Sequence, residues 1–376
     1  MTMKKEFLLV GITIVLASCH GRQTSEHESC TLKEALHDRF LIGTALNTSH
    51  YDEKDSIAVA LINRHFNAIV AENCMKSIYL QPEEGRFVFD EADRFVDFGL
   101  KNNLAITGHC LVWHSQAPEW FFTDKNGKDV SREVLIDRMK THITTVVSRY
   151  KGKIKGWDVV NEAILDDGSW RESKFYKIIG EDFVPLAFGF AHEADPAAEL
   201  YYNDYSMANE GKRNGVVKLV KSLKEKGVCI DGIGMQGHLS MQFPSIEEFE
   251  KSLIAFSETG VKVMITELDL SILPSPRPDT GADIATSFEY QQSMNPYTAG
   301  LPDSVYAKWE THFNAFFKLF LKHHDKIDRV TLWGVIDADS WKNNWPIPGR
   351  TDYPLLFDRQ YQPKPIVKTI IGEINH

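Results

Sequence analysis

Short apolar runs alternate with segments of helical periodicity along most of this chain of 376 residues. The runs are rich in β-branched and aromatic residues, which is typical of buried strands. They predict eight strands, at residues 40–46, 68–72, 104–109, 154–162, 200–204, 232–238, 261–268 and 330–335. A regular alternation of strand and helix is typical of α/β proteins.

Two of the intervening segments carry apolar residues on one helical face. The first face comprises Ala92, Phe95, Val96 and Leu100, and the second comprises Leu135, Met139, Ile143, Val146, Val147 and Tyr150. A third helix is predicted between Ser245 and Gly260, because Ser245 and Glu248 have the spacing of a capping box and glycine is a typical helix stop. Each predicted helix lies between two predicted strands.

Eight strand–helix alternations without a break in composition favour a closed (β/α)8 TIM barrel, with a single domain over residues 31–376. An open, doubly wound sheet is the alternative, but no glycine-rich phosphate-binding loop follows the first predicted strand. Such barrels typically need about 250 residues, so the remaining length is expected in enlarged loops. The stretch 271–303, rich in Pro, Ser and Asp, is the largest candidate.

The first residues have the pattern of a targeting signal. Two lysines precede an apolar stretch at 7–17, which is too short to span a bilayer and runs into Leu-Ala-Ser-Cys. This ending resembles a bacterial lipobox, so we expect a signal peptide at 1–19, lipidation of Cys19 and a polar tether at 20–30. A plain secretory signal is the alternative. The lipobox predicts an exported, membrane-anchored lipoprotein, in the periplasm or at the cell surface.

Four further cysteines occur, at Cys30, Cys74, Cys110 and Cys229. Their spacing matches no zinc motif. An exported chain can pair some of them, and Cys74 and Cys110 each lie beside a candidate site residue, but no connectivity follows from the sequence. Buried free thiols are an equally good interpretation.

The composition is that of an ordinary globular protein, with 43% hydrophobic and 25% charged residues. The net charge of -10 argues against nucleic acid as a partner, because binding its backbone requires clustered Lys and Arg. An uncharged substrate is easier to accommodate.

Two short apolar runs within the predicted strands end in a glutamate, Glu162 and Glu267. In a (β/α)8 barrel the carboxyl ends of the strands form the active-site face, so the two side chains are expected to share one site. Cleavage of a glycosidic bond by most glycosidases requires a pair of carboxyl groups. For either strand alone, a chance glutamate is the simpler interpretation, and the neighbouring strand ends decide between the two.

Those strand ends carry amides, imidazoles, charged groups and tryptophans, namely Glu72, Asn73, Lys76, His109, Trp113, Gln116, Asn161, Gln236, His238, Trp333 and Trp341. Sugars need such polar groups in number, together with aromatic platforms for their apolar ring faces. Simpler interpretations exist, because Trp113 and Trp333 can be core residues and Lys76 can be a surface charge. The histidines lack the helical spacing of a zinc hydrolase, so no metal is expected.

Seven segments, in order along the chain, resemble glycoside hydrolase family 10, the family of retaining endo-β-1,4-xylanases. They are ENCMK (72–76), QPEEGRFVFDEAD (81–93), TGHCLVWHSQAPEW (107–120), WDVVNEA (157–163), MQGHL (235–239), ITELDL (265–270) and LWGVIDADSW (332–341). The two glutamates are shared by a wider clan of barrel glycosidases, whereas the first and third segments are much more specific.

The resemblance implies a role for each candidate residue. Glu162 would be the general acid and later the base, and Glu267 would be the nucleophile, so the two carboxyls need different pKa values. Asn161 would hold the 2-hydroxyl of the sugar, and Gln236 and His238 would lie near the nucleophile. The sugar before the cleaved bond would be lined by Glu72, Asn73, Lys76, His109, Trp113 and Gln116, and the walls of the cleft would be Trp333 and Trp341.

By the same resemblance, the expected function is hydrolysis of internal β-1,4 bonds of xylan by a retaining double displacement. The expected partner is xylan or a xylo-oligosaccharide, with no cofactor and a monomeric protein. Hydrolysis of β-1,4- or mixed-linkage glucans on the same barrel is one alternative. A lipid-anchored glycan-binding protein is another, although it would be expected to lack a catalytic carboxylate.

Overall fold

The computed structural model describes residues 30–276 and 282–374. From Thr31 onward, the described residues form one compact unit. Nine strands are present in the described ranges: β1 (Leu41–Leu46), β2 (Ala68–Ala71), β3 (Ala105–Trp113), β4 (Gly156–Asn161), β5 (Glu199–Asp204), β6 (Gly232–Met235), β7 (His238–Ser240), β8 (Lys262–Ser271) and β9 (Ile327–Leu332).

Eight of these strands close into a parallel barrel. Successive strands pair from β1 to β6, and the ring closes because β9 pairs with both β1 and β8 while β8 pairs with β6. The predicted TIM barrel is confirmed. An open sheet is ruled out because the first and last strands pair with each other directly.

The short strand β7 is an addition that the sequence pattern did not separate from β6. The predicted run 232–238 is interrupted at Gly237, which has a φ of 79°. Because this left-handed conformation breaks the extended backbone, His238 begins a new strand, which pairs with the end of β8. The interruption brings His238 to the active-site end of the barrel.

Twelve α-helices surround or extend the described barrel: α1 (Leu32–Ala35), α2 (Thr48–Tyr51), α3 (Ser56–His65), α4 (Ser77–Leu80), α5 (Asp90–Lys101), α6 (Arg132–Arg149), α7 (Lys174–Ile179), α8 (Phe183–Ala194), α9 (Glu210–Glu225), α10 (Ile246–Ser257), α11 (Asp303–Lys322) and α12 (Pro365–Ile374). Short 3-10 helices lie at Glu119–Phe121, Gln292–Met294, Asp337–Asp339 and Trp341–Asn343. Every helix in the described ranges is too short or too polar to cross a lipid bilayer.

The predicted apolar face of α6 is confirmed, since all six of its residues are buried. On α5 the prediction is wrong at one position, because Leu100 is 45% exposed. The buried stripe continues instead through Gly99, where an added Cβ would lie 2.6 Å from the side chain of Ile106. This close contact turns the next residue, Leu100, toward solvent.

The helix predicted after Ser245 is also confirmed. The Ser245 side chain accepts a hydrogen bond of 3.2 Å from the backbone N–H of Glu248. The helix ends at Ser257, and Gly260 follows with a φ of 75°. The long loop predicted at 271–303 lies between the end of β8 and the start of α11.

Tight packing between neighbouring strands explains why two glycines occur inside the barrel wall. The ring of Trp157 on β4 lies across Gly108 on β3, and the ring of Tyr201 on β5 lies across Gly156 on β4. An added Cβ would lie 2.1 Å from Trp157 at Gly108 and 2.4 Å from Tyr201 at Gly156. Only glycine leaves room for these two large, buried aromatic rings.

Three of the cysteines are free thiols. Cys74, Cys110 and Cys229 are not disulfide-bonded, and the first two are buried. Cys74 and Cys110 are therefore buried thiols beside the site, as one of the two interpretations of the sequence had it.

Candidate active site

One cavity of about 170 Å³ opens at the carboxyl ends of the barrel strands. All thirteen site residues predicted within the domain line it: Glu72, Asn73, Lys76, His109, Trp113, Gln116, Asn161, Glu162, Gln236, His238, Glu267, Trp333 and Trp341. Ala282 and Ile284, from the long loop after β8, complete its wall. The predicted lipidation site, Cys19, lies outside the described residues.

The backbone of Glu162 adopts an unusual conformation directly after β4. Its φ is 59°, in the left-handed region, where a residue with a Cβ pays about 1 kcal/mol or more. The conformation is fixed on both sides, because the N–H donates to the carbonyl of Asn203 (2.9 Å) and the carbonyl accepts from Nε of Arg171 (2.9 Å). The surrounding structure thus determines where this carboxyl points.

The carboxyl of Glu162 is buried and accepts two hydrogen bonds of 3.0 Å or less. Nε1 of Trp113 donates to Oε2 at 2.7 Å, and Nε2 of Gln236 donates to Oε1 at 3.0 Å. Burial, followed by the negative charge of Asp204, raises the pKa of Glu162 to about 7, although both hydrogen bonds act in the opposite direction. The carboxyl therefore stays largely protonated below neutral pH and can serve as an acid.

Glu267 lies in the middle of β8 and has the opposite electrostatic setting. Burial alone would raise its pKa, but the hydrogen bond from His238 (3.1 Å), the charges of His109 and His238, and the hydrogen bond from Asn203 (2.8 Å) outweigh it. The net result is a pKa below the usual value for Glu. This carboxyl is ionised at neutral pH, as a nucleophile requires.

His238 is oriented by a carboxylate behind it. Its Nδ1 lies 2.9 Å from Oδ2 of Asp269, and the same oxygen accepts a 2.8 Å hydrogen bond from Nε1 of Trp341. Burial would lower the pKa of His238, but the charge and hydrogen bond of Asp269 and the hydrogen bond to Glu267 raise it overall. The imidazole thus favours its charged form and stabilises the carboxylate of Glu267.

The far end of the cavity is a hydrogen-bonded polar cluster around a buried lysine. Nζ of Lys76 donates to Oδ1 of Asn73 (3.0 Å) and to Oε1 of Gln116 (2.9 Å), and it lies 5.1 Å from the centre of the Trp113 ring. Lys76 is only 7% exposed. The interpretation of Lys76 as a surface charge is therefore wrong.

A second histidine is held in the same way as His238. Nδ1 of His109 lies 2.8 Å from Oδ2 of Asp158, and its ring packs against the edge of Trp333 with centroids 5.4 Å apart. Trp113 and Trp333 are almost fully buried, yet both line the cavity. The two tryptophans thus belong to the core and to the site at once.

Sequence reasoning missed the residues that act through the predicted ones. Nδ2 of Asn203 donates to Oε1 of Glu267 (2.8 Å), while its Oδ1 accepts from the hydroxyl of Thr266 (2.6 Å). Asp158 and Asp269 orient the two histidines. The available signal was position, since Asn203 lies near the end of the fifth predicted strand.

Among the described residues, no group of three His, Cys, Asp or Glu side chains could hold a metal ion. His114 approaches Glu162, with Nδ1 3.9 Å from Oε2. Burial lowers the pKa of His114 to about 4, so it is neutral at physiological pH and this contact is not an ion pair. Two carboxyls with opposed pKa shifts are the reactive groups of the cavity.

Known proteins resemble this chain over most of its length. An endo-1,4-beta-xylanase A from Xylanibacter ruminicola is 54% identical over 341 residues, covering 91% of this chain and 92% of that protein. An endo-1,4-beta-xylanase from Geobacillus stearothermophilus is 42% identical over 344 residues, covering 91% of this chain and 98% of that protein.

Solved structures agree with this result. A GH10 endoxylanase retrieved from a sugarcane soil metagenome superposes with a TM-score of 0.88 at 48% identity, covering 91% of this chain and 99% of that one. The sequence also matches the family described as glycosyl hydrolase family 10 over residues 31–373. The chain therefore belongs to glycosyl hydrolase family 10.

Proposed function

We propose that the protein is a retaining endo-β-1,4-xylanase, with Glu162 as general acid and base and Glu267 as nucleophile. The assignment of roles rests on one observation: the pKa values of these two buried carboxyls, which share one cavity, are shifted in opposite directions. The pKa of Glu162 is raised to about 7, while that of Glu267 is lowered. The xylanase relatives support the choice of xylan as substrate.

In the first step, Glu162 donates its proton to the glycosidic oxygen while Glu267 attacks the anomeric carbon and forms a glycosyl-enzyme ester. The bond between the anomeric carbon and the glycosidic oxygen breaks, and the protonated leaving sugar departs. The negative charge of Glu267 is one of the causes of the raised pKa of Glu162. Once the ester forms, that charge is gone, so the pKa of Glu162 falls. Glu162 can then accept a proton from the water that hydrolyses the ester, which regenerates both carboxyls.

The remaining cavity residues bind the sugar in this proposal. Asn161, next to the acid, holds the 2-hydroxyl at the cleavage point, a contact that strengthens toward the transition state. Trp333 and Trp341 form the apolar walls, and the polar cluster of Lys76, Asn73 and Gln116 binds hydroxyls of the neighbouring sugar. A relative of 36% identity was solved in complex with xylotriose, which agrees with a cleft for a xylose chain.

The test compares release of reducing ends from xylan, mixed-linkage glucan and carboxymethylcellulose, with Glu267→Ala as the control. We expect release mainly from xylan, none from the variant, and products whose anomeric configuration is initially retained when followed by NMR. Preferential cleavage of a glucan would support the alternative substrate. Binding without release by the wild-type protein would support the glycan-binding alternative.

We also propose that residues 1–19 direct export and that Cys19 carries the lipid anchor of a monomeric protein. The support is the lipobox-like Leu-Ala-Ser-Cys sequence after a short apolar stretch. In bacterial cells that process lipoproteins, the wild-type protein is expected in the membrane fraction and the Cys19→Ala variant in the soluble fraction. Equal membrane association of both would reject the anchor, and sedimentation of the soluble variant would test the monomer.

A further inference from the structure

A buried lysine that does not line the reaction cleft lies behind the proposed general acid. Lys212, in the first turn of α9, is fully buried, although a buried ammonium group is costly unless it is paired. Its Nζ donates to Oδ1 of Asp204 at 2.9 Å and lies 3.1 Å from Oδ1 of Asp166. Nζ also lies 3.9 Å from the centre of the Tyr205 ring. The lysine therefore joins the end of β5, where Asp204 lies, to the loop that follows Glu162.

A tyrosine ties the other oxygen of Asp204 to the backbone next to Glu162. The hydroxyl of Tyr202 donates to Oδ2 of Asp204, and it accepts the backbone N–H groups of Ala163 and Ile164 at 3.0 and 3.1 Å. All four residues are buried, so these N–H groups have to find their partners inside the protein. They follow directly after Glu162, whose backbone has the left-handed φ of 59°. The tyrosine and the aspartate thus hold the backbone where the acid is attached.

The loop 163–171, which we call the acid loop, also packs closely on α9. An added Cβ at Gly168 would lie 2.4 Å from the carbonyl oxygen of Gly211. At Gly215, which is in α9, it would lie 2.7 Å from the carbonyl oxygen of Gly168. Neither Gly168 nor Gly215 can gain a side chain unless the loop moves away from the helix. The helix that carries the buried lysine is therefore a direct support of the acid loop.

We propose that Tyr202 and Lys212 are positioning residues for the general acid, acting through Asp204. Tyr202 fixes the backbone at Glu162, and Lys212 balances the charge of Asp204 and holds the acid loop against α9. None of these three described residues lines the reaction cleft, so their effect on the reaction has to pass through Glu162. The proposal rests on the proposed function, since it needs Glu162 to act as acid and base.

The experiment compares two substrates that depend on the acid to different degrees. An unbranched xylo-oligosaccharide has a sugar hydroxyl as its leaving group, which needs a proton, whereas the leaving group of a dinitrophenyl β-xylobioside departs without one. We expect Tyr202→Phe and Lys212→Met to lower kcat/KM for the oligosaccharide about tenfold or more, since general acid catalysis is typically worth about a hundredfold or more. The kcat/KM for the aryl glycoside should stay nearly unchanged. Tyr202→Phe removes only one oxygen atom, so it keeps the test open if Lys212→Met does not fold.

Two matched controls carry the same substitutions near the amino ends of β4 and β5. The hydroxyl of Tyr201 donates to Oε2 of Glu199, and Nζ of Lys155 donates to Oε1 of the same residue. Tyr201→Phe and Lys155→Met should leave the ratio of kcat/KM between the two substrates as it is in the wild-type enzyme. An equal loss on both substrates in Tyr202→Phe would show that the network supports the fold and not the acid, and would overturn the proposal.

The Glu162→Ala variant distinguishes failure of this proposal from failure of the proposed function. It should show the same difference between the two substrates, in larger measure. If Glu162→Ala shows the difference while Tyr202→Phe and Lys212→Met do not, the positioning role fails and the proposed function stands. If the wild-type enzyme cleaves neither substrate, or if Glu162→Ala loses both activities equally, the proposed function itself fails.

Discussion

At the scale of single residues, the acidity of Glu162 is set by a competition. Burial and the charge of Asp204 disfavour its carboxylate, whereas hydrogen bonds from Trp113 and Gln236 favour it. The result is a pKa of about 7. Because an acid works only in its protonated form, kcat/KM should decline as the pH rises through this value.

Replacing Trp113 by phenylalanine removes one of the two donors. The carboxylate of Glu162 is then less stabilised, its pKa rises further, and the alkaline limb of the kcat/KM profile should move upward by about one pH unit. The measurement is kcat/KM for an unbranched xylo-oligosaccharide between pH 5 and 9. Turnover should also fall at every pH, because the substitution changes the wall of the cleft.

Trp120→Phe is the matched control for this experiment. The indole of Trp120 donates to the carbonyl of Gln81 and does not line the reaction cleft. Its loss should leave the alkaline limb where it is in the wild-type enzyme. An unmoved limb in Trp113→Phe would show that this hydrogen bond does not set the acidity of Glu162.

The sequence was sufficient to predict the residues that line the cleft, because strand ends in a barrel face one site. It was not sufficient for Asn203 and Asp269, which act by holding other side chains in place. Such a role depends on two atoms meeting across strands, as Asn203 does with Glu267 at 2.8 Å. No spacing along the chain encodes that distance.

At the scale of elements, the barrel wall depends on glycines under aromatic rings. Gly108→Ala would place a Cβ 2.1 Å from the fully buried ring of Trp157. The ring or the strand must shift, so we expect the variant to lose about 1–3 kcal/mol of unfolding free energy. Thermal unfolding followed by circular dichroism would show the loss as a lower Tm.

Gly189→Ala serves as the comparison. Gly189 lies within α8, and an added Cβ there would meet nothing within 4 Å. Since alanine favours helix over glycine by about 1 kcal/mol, this variant should match or exceed the wild-type Tm. A Tm for Gly108→Ala equal to that of Gly189→Ala would mean that the wall adapts without strain.

Element types followed well from periodicity, but some details depended on the backbone. The break between β6 and β7 depends on the left-handed conformation of Gly237, which an apolar run does not reveal. The exposure of Leu100 depends on how closely α5 approaches Ile106. In both cases tertiary packing determines a detail that the hydrophobic pattern leaves open.

At the scale of the whole molecule, the acid that the mechanism requires destabilises the fold. The pKa of Glu162 is about 7 in the folded protein and 4.5 for an ordinary glutamate. The folded state therefore holds this proton more tightly, and the stability contribution is present at low pH and is lost as the pH rises through 7. Above that pH, the buried negative charge costs the fold about 3 kcal/mol.

Glu162→Gln should accordingly stabilise the protein at pH 8 and do so less at pH 5. Glutamine has nearly the shape of the neutral carboxyl and carries no charge at any pH. The measurement is the difference in Tm between variant and wild type at the two pH values, with the exposed Glu247→Gln as control. A difference that does not grow with pH would contradict the raised pKa.

The fold class and the closed barrel were predictable from the chain because eight strand–helix alternations allow few architectures. A second cavity of about 310 Å³ beside the cleft was not predictable, since its walls come from segments far apart in sequence. Nothing in the sequence pattern marks Lys342 and Arg350 as residues near the site. Their burial beside the cleft follows only from the fold.

The closure of the barrel has a kinetic consequence. Glu162 follows β4 and Glu267 lies on β8, and their common neighbours Asn203 and Gln236 come from the segment between them. The strands that carry these four groups, β4, β5, β6 and β8, are neighbours in the ring. The side chains that hold the sugar add β2, β3 and β9, because Lys76, Trp113 and Trp333 lie at or after the ends of these strands, so the complete cleft forms only when the ring closes. On refolding from denaturant, the return of hydrolysis should therefore lag behind the return of the helical signal in circular dichroism. The rate at which activity returns then reports the rate of the last folding step.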